Sequence, residues 1–370
     1  MRRNIAGLTH LIRWLNPGLG LLCETRPGWR VGWAALGLAL AAGAGAAQAQ
    51  AVRDPVIDMH LHASRLDTAV GIPACPGDHN PVFPGLDPKA PLDPDRLILC
   101  DRPFVSPTTA DELMRQSIAE LRRHNVRRAV TAGPPHKVAE WRAAAPDAII
   151  PAASFTWGSP PPTPDELRRL HAAGTFKVLA EIGSQYAGVP ADDPRYAAYW
   201  ALAEELDVPV GIHLGESMPA AARLGSPKYR AALTSPFQLE EVLVRHPGLR
   251  VYVMHYGSPL VDETIAMLYS HPNLYVDVAA NDWSMPRAQF HDHLRRLVEA
   301  GFGKRILFGS DQTIWPQAIG EAIEAIETAP FLSEAQKRDI LYDNAARFLR
   351  LTPEEIARDH APPEEAGASR

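Results

Sequence analysis

Eight apolar runs alternate with segments of helical periodicity along most of the chain, and this alternation limits the folds that it can adopt. The cores of the runs are almost continuously apolar, as in strands that are buried on both faces of a parallel sheet. Strands that alternate with helices pair in parallel and are covered by those helices. The predicted strands span residues 56–62, 127–133, 148–155, 176–183, 209–215, 250–257, 274–280 and 305–311.

The number of repeats favours one architecture. Eight strand–helix units over about 300 residues predict a (β/α)₈ TIM barrel, here residues 52–351. The alternative is an open doubly wound sheet, but the Gly-x-Gly-x-x-Gly turn of that fold is absent after the first strand, where His60-Leu61-His62 stands instead. A long insertion, residues 63–108, follows the first strand and is rich in Pro, Gly and Asp. Loops of this length are usually functional.

The first fifty residues carry the pattern of a secretory signal. Arginines precede an apolar run at 31–40, and Ala47-Gln48-Ala49 fits an A-x-A cleavage site. We therefore expect residues 1–50 to be removed and the protein to be secreted or periplasmic. An uncleaved membrane anchor is the alternative, because the apolar segment approaches spanning length. At the other end, the acidic residues 352–370 are predicted to form a disordered tail.

The three cysteines agree with an oxidising compartment. Cys23 lies in the predicted signal, which leaves Cys75 and Cys100 within the one insertion. A disulfide between them is predicted, since such bridges persist in secreted proteins. Two free thiols are the alternative.

The charge balance excludes one class of partner. The net charge is −6 and the pI is about 6.2, and no Lys/Arg cluster is interleaved with aromatic residues. We therefore expect no nucleic acid partner. The expected partner is a small-molecule substrate, with no stable membrane association after signal cleavage. A homo-oligomer is compatible with this composition.

Side chains that bind metals or transfer protons stand at the ends of several predicted strands. His60 and His62 share a strand face, with Asp58 behind them, so they can chelate one divalent ion. The other strand-end groups of this kind are Glu181, His213, His255 and Asp311. In a barrel all of these ends meet at one mouth, where the chemistry of TIM-barrel enzymes takes place. A metal centre is therefore predicted there.

These motifs resemble the amidohydrolase superfamily, and within it the amidohydrolase-related group of metal-dependent hydrolases and decarboxylases. The resemblance covers roughly residues 56–351. It rests on Asp58-Met59-His60-Leu61-His62, Gly211-Ile212-His213, Val253-Met254-His255, Phe308-Gly309-Ser310-Asp311 and Asn344-Ala345-Ala346-Arg347-Phe348-Leu349.

The resemblance implies a role for each strand-end residue. His60, His62 and Asp311 would bind a first metal ion, and His213 and His255 a second. Glu181 would bridge the two ions, as the glutamate of TatD-type nucleases does. In members with a single ion, His213 completes the first site and His255 polarises the substrate or handles protons. One or two divalent ions are therefore expected, zinc foremost, with Mn, Fe or Co as alternatives.

Lys177 is the alternative bridging residue, because it shares a strand face with Glu181. It lies four residues deeper, over ~13 Å at about 3.3 Å per residue, too far to reach a metal at the mouth. We expect it instead to face an acid such as Asp58 near the barrel floor.

The resemblance implies three functions, in order of expectation. The first is a hydrolase whose metal-activated hydroxide attacks an amide, ester or lactone bond, with Asp311 moving the proton and His255 assisting. The second is a metal-dependent decarboxylase, and the third is a non-catalytic barrel that binds a metal or ligand. Retention of Asp311 disfavours the third function, since binding alone needs no base.

Aromatic residues on the loops after the strands are candidates for substrate contact. They are Trp157, Tyr186, Trp283 and Trp315, which together would form a rim for a flat or apolar group. No arginine stands at a predicted strand end to hold a carboxylate or phosphate. This lowers the expectation of decarboxylase and phosphoesterase activity, although Arg65 or Arg102 of the insertion could still reach the mouth.

Overall fold

The apolar runs all become strands, and they form one parallel sheet in the order in which they occur along the chain. The computed structural model describes residues 53–64, 73–155 and 161–362, so the predicted signal and Trp157 lie outside the described residues. Ten strands are present in these ranges, of which all but β2 and β3 belong to the barrel. They are β1 Val56–His62, β2 Pro73–Ala74, β3 Phe104–Val105, β4 Val126–Ala132, β5 Ile149–Phe155, β6 Val178–Ile182, β7 Val210–His213, β8 Val251–Met254, β9 Leu274–Asp277 and β10 Ile306–Leu307.

Backbone hydrogen bonds between β1 and the segment after β10 close the sheet. The N–H of Met59 donates to the carbonyl of Phe308 over 2.9 Å, and the N–H of Asp311 donates to the carbonyl of His60 over 2.8 Å. The N–H of His62 donates to the carbonyl of Gln312 over 3.1 Å. The eighth strand is shorter than predicted, but these bonds continue the pairing beyond it. The predicted TIM barrel is therefore confirmed, and Asp311 lies beside the two histidines of β1.

Helices connect the barrel strands. They are α1 Ala110–Arg123, α2 Pro135–Ala144, α3 Pro164–Ala172, α4 Ala197–Glu205, α5 Glu240–Arg245, α6 Val261–Ser270, α7 Asn281–Ser284, α8 Arg287–Leu297, α9 Ala318–Glu327, α10 Glu334–Arg338, α11 Asn344–Leu349 and α12 Pro353–His360. Helix α1 shows why they form where they do. The hydroxyl of Thr109 accepts from the N–H of Glu112, and Leu113, Ile118 and Leu121 bury one apolar face. No helix in the described ranges is both long and apolar enough to span a bilayer.

Within the part of the chain that the structure describes, the buried apolar side chains form two clusters. The larger one packs the strands against the surrounding helices. The smaller one joins residues from non-adjacent strands, such as Met59, Val178 and Tyr252, with Phe348 of α11. These strands do not pair with one another, so their side chains can meet only in the interior of the barrel. The smaller cluster therefore lies inside the barrel. The core therefore fills the barrel and leaves the polar strand ends to line the mouth.

The described part of the insertion after β1 is held in three ways. Cys75 and Cys100 form a disulfide, which confirms the predicted bridge, and β2 pairs with β3 in antiparallel fashion. An ion pair of 2.7 Å joins Asp78 of the insertion to Arg287 of α8.

The prediction of a disordered tail from residue 352 is wrong for its described part. Helix α12 begins with a capping box formed by Thr352 and Glu355. Near its end, Asp359 is almost fully buried and accepts a hydrogen bond of 2.7 Å from Arg128 of β4. This cap and the buried partner order a segment that looked merely acidic. Residues 363–370 lie outside the described part of the chain.

Candidate metal centre

Six predicted ligands converge at the carboxyl ends of the barrel strands. Their residues lie in β1, β6 and β7, directly after β8, and just beyond β10; they are His60, His62, Glu181, His213, His255 and Asp311. Two glycines allow the strand ends to approach closely. A Cβ on Gly309 would lie 2.8 Å from the Cβ of His60, and one on Gly215 would lie 2.7 Å from that of His255. Both positions therefore require glycine if the histidines are to keep their places.

The first half of the centre is built from His60, His62 and Asp311. Oδ1 of Asp311 lies 3.0 Å from Nε2 of His62 and 3.5 Å from Nε2 of His60. Oε2 of Glu181 lies 3.6 Å and 3.9 Å from the same two nitrogens. Two carboxylate oxygens thus face the two imidazole nitrogens at separations that a shared ion could span.

The second half of the centre contains His213 and His255. Their rings are 4.7 Å apart between centroids, and Nε2 of His213 lies 3.9 Å from Oε1 of Glu181. Donor atoms of Glu181, His213 and His255 all lie within 4.8 Å of one another, and so do those of His60, His62 and Glu181. Glu181 therefore directs one oxygen to each half, which is the arrangement that a bridging ligand needs.

The outward-facing ring nitrogens of three histidines are each held by a partner. Nδ1 of His60 lies 3.1 Å from Asp277, Nδ1 of His213 lies 3.0 Å from the Gln185 side-chain oxygen, and Nδ1 of His255 lies 2.9 Å from the Ala279 carbonyl. Since these partners are acceptors, each Nδ1 carries a proton and Nε2 is the nitrogen that faces the centre.

Nε2 of His60 is buried and has no hydrogen-bond partner. Buried polar atoms normally have a bonding partner, and a metal ion bound to Nε2 would be such a partner. The imidazole and carboxylate donors suit Zn, Mn, Fe or Co. The residues present therefore fit a divalent metal.

Burial and neighbouring charges shift the pKa values of most of these side chains toward the deprotonated form, which is the form that binds a metal ion. Burial tends to raise the pKa of Glu181, but His60, His213 and His62 outweigh it and hold that pKa well below its usual range. The pKa of Asp311 is also lowered, because the neighbouring histidines outweigh its burial. Burial lowers the pKa of His213 to about 4, so this imidazole is neutral near pH 7.

His60 is the exception. Burial lowers its pKa, but the charges of Asp311 and Asp277 outweigh that effect and hold the pKa well above its usual value. A metal that binds Nε2 must therefore displace a proton from this ring.

The prediction for Lys177 is wrong. This residue is exposed, so it does not face Asp58. Asp58 is instead fully buried and accepts hydrogen bonds from the backbone N–H of His60 (2.9 Å) and from the Ser310 hydroxyl (2.6 Å). Burial raises the pKa of Asp58 to about 6, although these bonds oppose the shift. Lys177 directly precedes β6, and its backbone N–H already donates to the Pro151 carbonyl of β5 over 2.8 Å. Its side chain is exposed between the buried Phe176 and Val178, so it lies on the outer face of the barrel wall.

The predicted aromatic rim is only partly formed. The Tyr186 hydroxyl lies 3.1 Å from Nε2 of His213 and donates to Ser217 over 3.3 Å, so Tyr186 does border the centre. Trp283 is only 6% exposed and donates from Nε1 to the Ser310 carbonyl. It therefore supports the wall, with its ring 6.0 Å from that of the half-buried Trp315.

Two supporting residues were not assigned these roles from the sequence. Asp277 ends β9 and contacts His60, yet a single acid at a strand end carries no distinct signal. Gln185 follows β6 and is fully buried. Besides contacting His213, its amide donates to the Gly215 carbonyl and the Thr234 hydroxyl. Both roles depend on partners far away in the chain.

The barrel and this convergent set of histidines and carboxylates define the metal-dependent class of TIM-barrel enzymes. The Amidohydrolase family model (Amidohydro_2) matches residues 57–351. The chain therefore belongs to the amidohydrolase family, and the predicted resemblance is confirmed.

The individual proteins that this chain is similar to carry different descriptions. Gamma-resorcylate decarboxylase from Rhodococcus jostii is 28% identical over 253 residues, which are 58% of this chain and 74% of that protein. A solved 2,6-dihydroxybenzoate decarboxylase from Rhizobium has a TM-score of 0.51 at 17% identity, covering 81% of this chain and 99% of its own. A solved protein from Acinetobacter baumannii, described as a probable 2-pyrone-4,6-dicarboxylic acid hydrolase, also has a TM-score of 0.51, at 16% identity, with coverage of 80% and 99%. The two structures share the fold with this chain.

Proposed function

We propose that this protein is a metal-dependent decarboxylase that acts on an aromatic carboxylic acid. The observation that carries the proposal is the 28% identity to gamma-resorcylate decarboxylase, combined with a site that fits a divalent metal. The motifs alone favour hydrolysis, whereas the similarity to gamma-resorcylate decarboxylase favours decarboxylation. The two similar folds do not discriminate between these reactions, since one is described as a decarboxylase and the other as a probable hydrolase.

The chemistry assigns a task to each part of the site. A bound divalent ion would hold substrate oxygens and withdraw electron density from the ring. In the described ranges no arginine ends a barrel strand, so the charge of the substrate carboxylate would be met by the ion. His60, His62 and Asp311 are the residues that would hold it, with Glu181 and His213 beside them.

The bond that breaks joins the ring to the carboxylate carbon. Carbon dioxide leaves, and the ring carbon must gain one proton to restore its valence. Two groups at the mouth can hold that proton: the carboxylate of Asp311, and Nε2 of His255, whose Nδ1 faces the Ala279 carbonyl. Tyr186 borders the same space and can orient a substrate hydroxyl.

Product analysis tests the proposal. Purified protein would be loaded with zinc or manganese and incubated with 2,6-dihydroxybenzoate and with an ester and a lactone panel. Carbon dioxide and the corresponding phenol in equal amounts are the expected products. Turnover of the ester or lactone panel without carbon dioxide would overturn the decarboxylase in favour of the hydrolase. Metal binding without turnover of either set would favour a non-catalytic barrel.

We also propose that the protein acts in an oxidising compartment. The disulfide between Cys75 and Cys100 supports this location, because such bridges persist outside the reducing cytosol. Fractionation of expressing cells, with N-terminal sequencing of the product, tests it. A mature chain that starts near residue 50 in the periplasmic or secreted fraction is expected, and a full-length cytosolic protein would contradict it.

A further inference from the structure

Asp277 is fully buried at the carboxyl end of β9, between two of the predicted functional histidines. Its Oδ2 lies 3.1 Å from Nδ1 of His60. Its Oδ1 accepts from the backbone N–H of His255 over 2.7 Å and from that of Ala279 over 3.1 Å. One carboxylate thus connects the ends of β1, β8 and β9.

The contact with His60 sets the tautomer of that ring. The Asp277 side chain already accepts two backbone N–H groups at Oδ1, and with Oδ2 as the acceptor facing His60, Nδ1 of His60 donates, which leaves Nε2 as the metal-binding nitrogen. Nε2 is also the atom that is buried without a hydrogen-bond partner. The acceptors behind His213 and His255 are neutral. A carboxylate raises the basicity of a metal-bound histidine more than a neutral acceptor does.

The contact with His255 fixes a backbone that is otherwise unfavourable. His255 has φ +58° and Tyr256 has φ +43°, both in the left-handed region that favours glycine. The short bond from the His255 N–H to Asp277 holds the first residue of this turn. The same turn places the imidazole of His255 within the centre.

We propose that Asp277 is a positioning residue that sets His60 as an Nε2 ligand through one oxygen and fixes the His255 turn through the other. The proposal deepens the function given above, and it rests on that function only for its effect on turnover. Neither the metal affinity nor the tautomer of His60 depends on which reaction the enzyme catalyses.

Asp277→Asn separates the two contacts. The amide oxygen can still accept from the His255 N–H, which turns the amide NH₂ toward Nδ1 of His60. That ring must then accept at Nδ1 and carry its proton on Nε2, the wrong tautomer for binding. An amide in place of the carboxylate behind a catalytic histidine has this effect in serine proteases. Asp277→Ala removes both contacts.

The first measurement is the zinc dissociation constant of the full-length protein, by competition with a chromophoric chelator. Asp277→Asn is expected to weaken binding by about 10–100-fold. Asp282→Asn is the matched control: this carboxylate is equally buried, but neither of its oxygens has a hydrogen-bond partner, and its affinity should equal wild type. Wild-type affinity in Asp277→Asn, or an equal loss in both variants, would overturn the proposal.

A second measurement needs no variant that could fail to fold. Histidine-selective ¹⁵N spectra of the zinc-loaded wild type should show a protonated Nδ1 and a metal-bound Nε2 for His60. Coordination through Nδ1 would overturn the proposal. For the second contact, Asp277→Ala should turn over more slowly than Asp277→Asn at saturating zinc, and equal rates would remove the role assigned to the His255 turn. Absence of carbon dioxide from every protein, with the zinc and ¹⁵N results as expected, would overturn the proposed function alone.

Discussion

His62 and Asp311 face each other across the seam where the barrel closes, with Nε2 of His62 3.0 Å from Oδ1 of Asp311. The contact exists because the N–H of Asp311 donates to the carbonyl of His60, which aligns the last strand end with the first. Asp311 has φ +47°, so its backbone departs from the extended conformation of a strand at this residue. The carboxylate that we propose transfers the proton is thereby placed beside a predicted metal ligand.

Asp311→Asn should abolish most turnover without unfolding the protein. The amide keeps the shape of the side chain but can no longer accept and return a proton. We expect the rate at saturating metal to fall by about 10²–10⁴-fold, the usual contribution of a general acid or base. The measurement is carbon dioxide release together with metal content. A variant that keeps its metal and turns over at the wild-type rate would remove Asp311 from the proposed chemistry.

Asp282→Asn should stabilise the protein at neutral and higher pH. Burial, together with the charges of Asp58 and Asp277, raises the pKa of Asp282 well above its usual value. The folded state therefore keeps a proton that the unfolded state releases, so stability is highest below the unfolded pKa and falls as the pH rises above it. The asparagine has no such proton to lose. Its melting temperature should exceed that of wild type at pH 8 and approach it near pH 4.

The control for this prediction is Asp147→Asn, because Asp147 is exposed. Its melting temperature should match that of wild type at both pH values. A lower melting temperature of Asp282→Asn at pH 8 would mean that the buried carboxylate is ionised and paired.

Removal of the disulfide should loosen the insertion and leave the metal centre in place. The bridge closes a loop with a sequence separation of 25, which is worth about 3 kcal/mol in the chain-entropy description. The double variant Cys75→Ser/Cys100→Ser should be cut faster by protease between these positions. Its metal content should be unchanged, because the six predicted ligands all lie outside residues 63–108. Loss of metal from the double variant would show that the insertion supports the centre.

Asp359→Ala should destabilise the barrel although it lies in the last helix. The carboxylate accepts from Arg128 over 2.7 Å and from the Tyr342 hydroxyl over 2.8 Å. Its removal leaves the Tyr342 hydroxyl without its acceptor and the largely buried Arg128 guanidinium with only Glu355, 3.6 Å away, as an acidic partner. We expect a loss of about 1–3 kcal/mol of unfolding free energy. Urea unfolding measures the change. The exposed Glu354→Ala should leave the free energy of unfolding close to that of wild type, and equal effects of the two variants would contradict the account.

Most of the fold is predictable from the sequence because strand and helix periodicity alternate regularly after the insertion. The eight strands lie where the apolar runs are, and only their ends shift. Helix α7 is missed because four residues are too few to show a period. Helix α12 is missed because its ordering depends on Arg128, a partner more than two hundred residues away.

The candidate ligands are predictable for a different reason. Histidines and acids at strand ends must meet once a parallel barrel closes, whatever the details of packing. The supporting residues are not predictable in this way. Asp277 becomes distinct only when its oxygens are seen on His60 and on the His255 backbone. Trp283 resembles a rim residue in sequence, yet its indole N–H is bound to the Ser310 carbonyl inside the wall.

The central claim is that these six side chains form a metal centre, and elemental analysis tests it most directly. Purified wild-type protein and Glu181→Ala would be compared after supplementation with zinc and manganese. We predict bound metal in the wild type and, if Glu181 bridges two ions, a fall from two equivalents to one or none in the variant. One equivalent in both proteins would place Glu181 outside a single-ion site. The absence of metal from both would contradict the account.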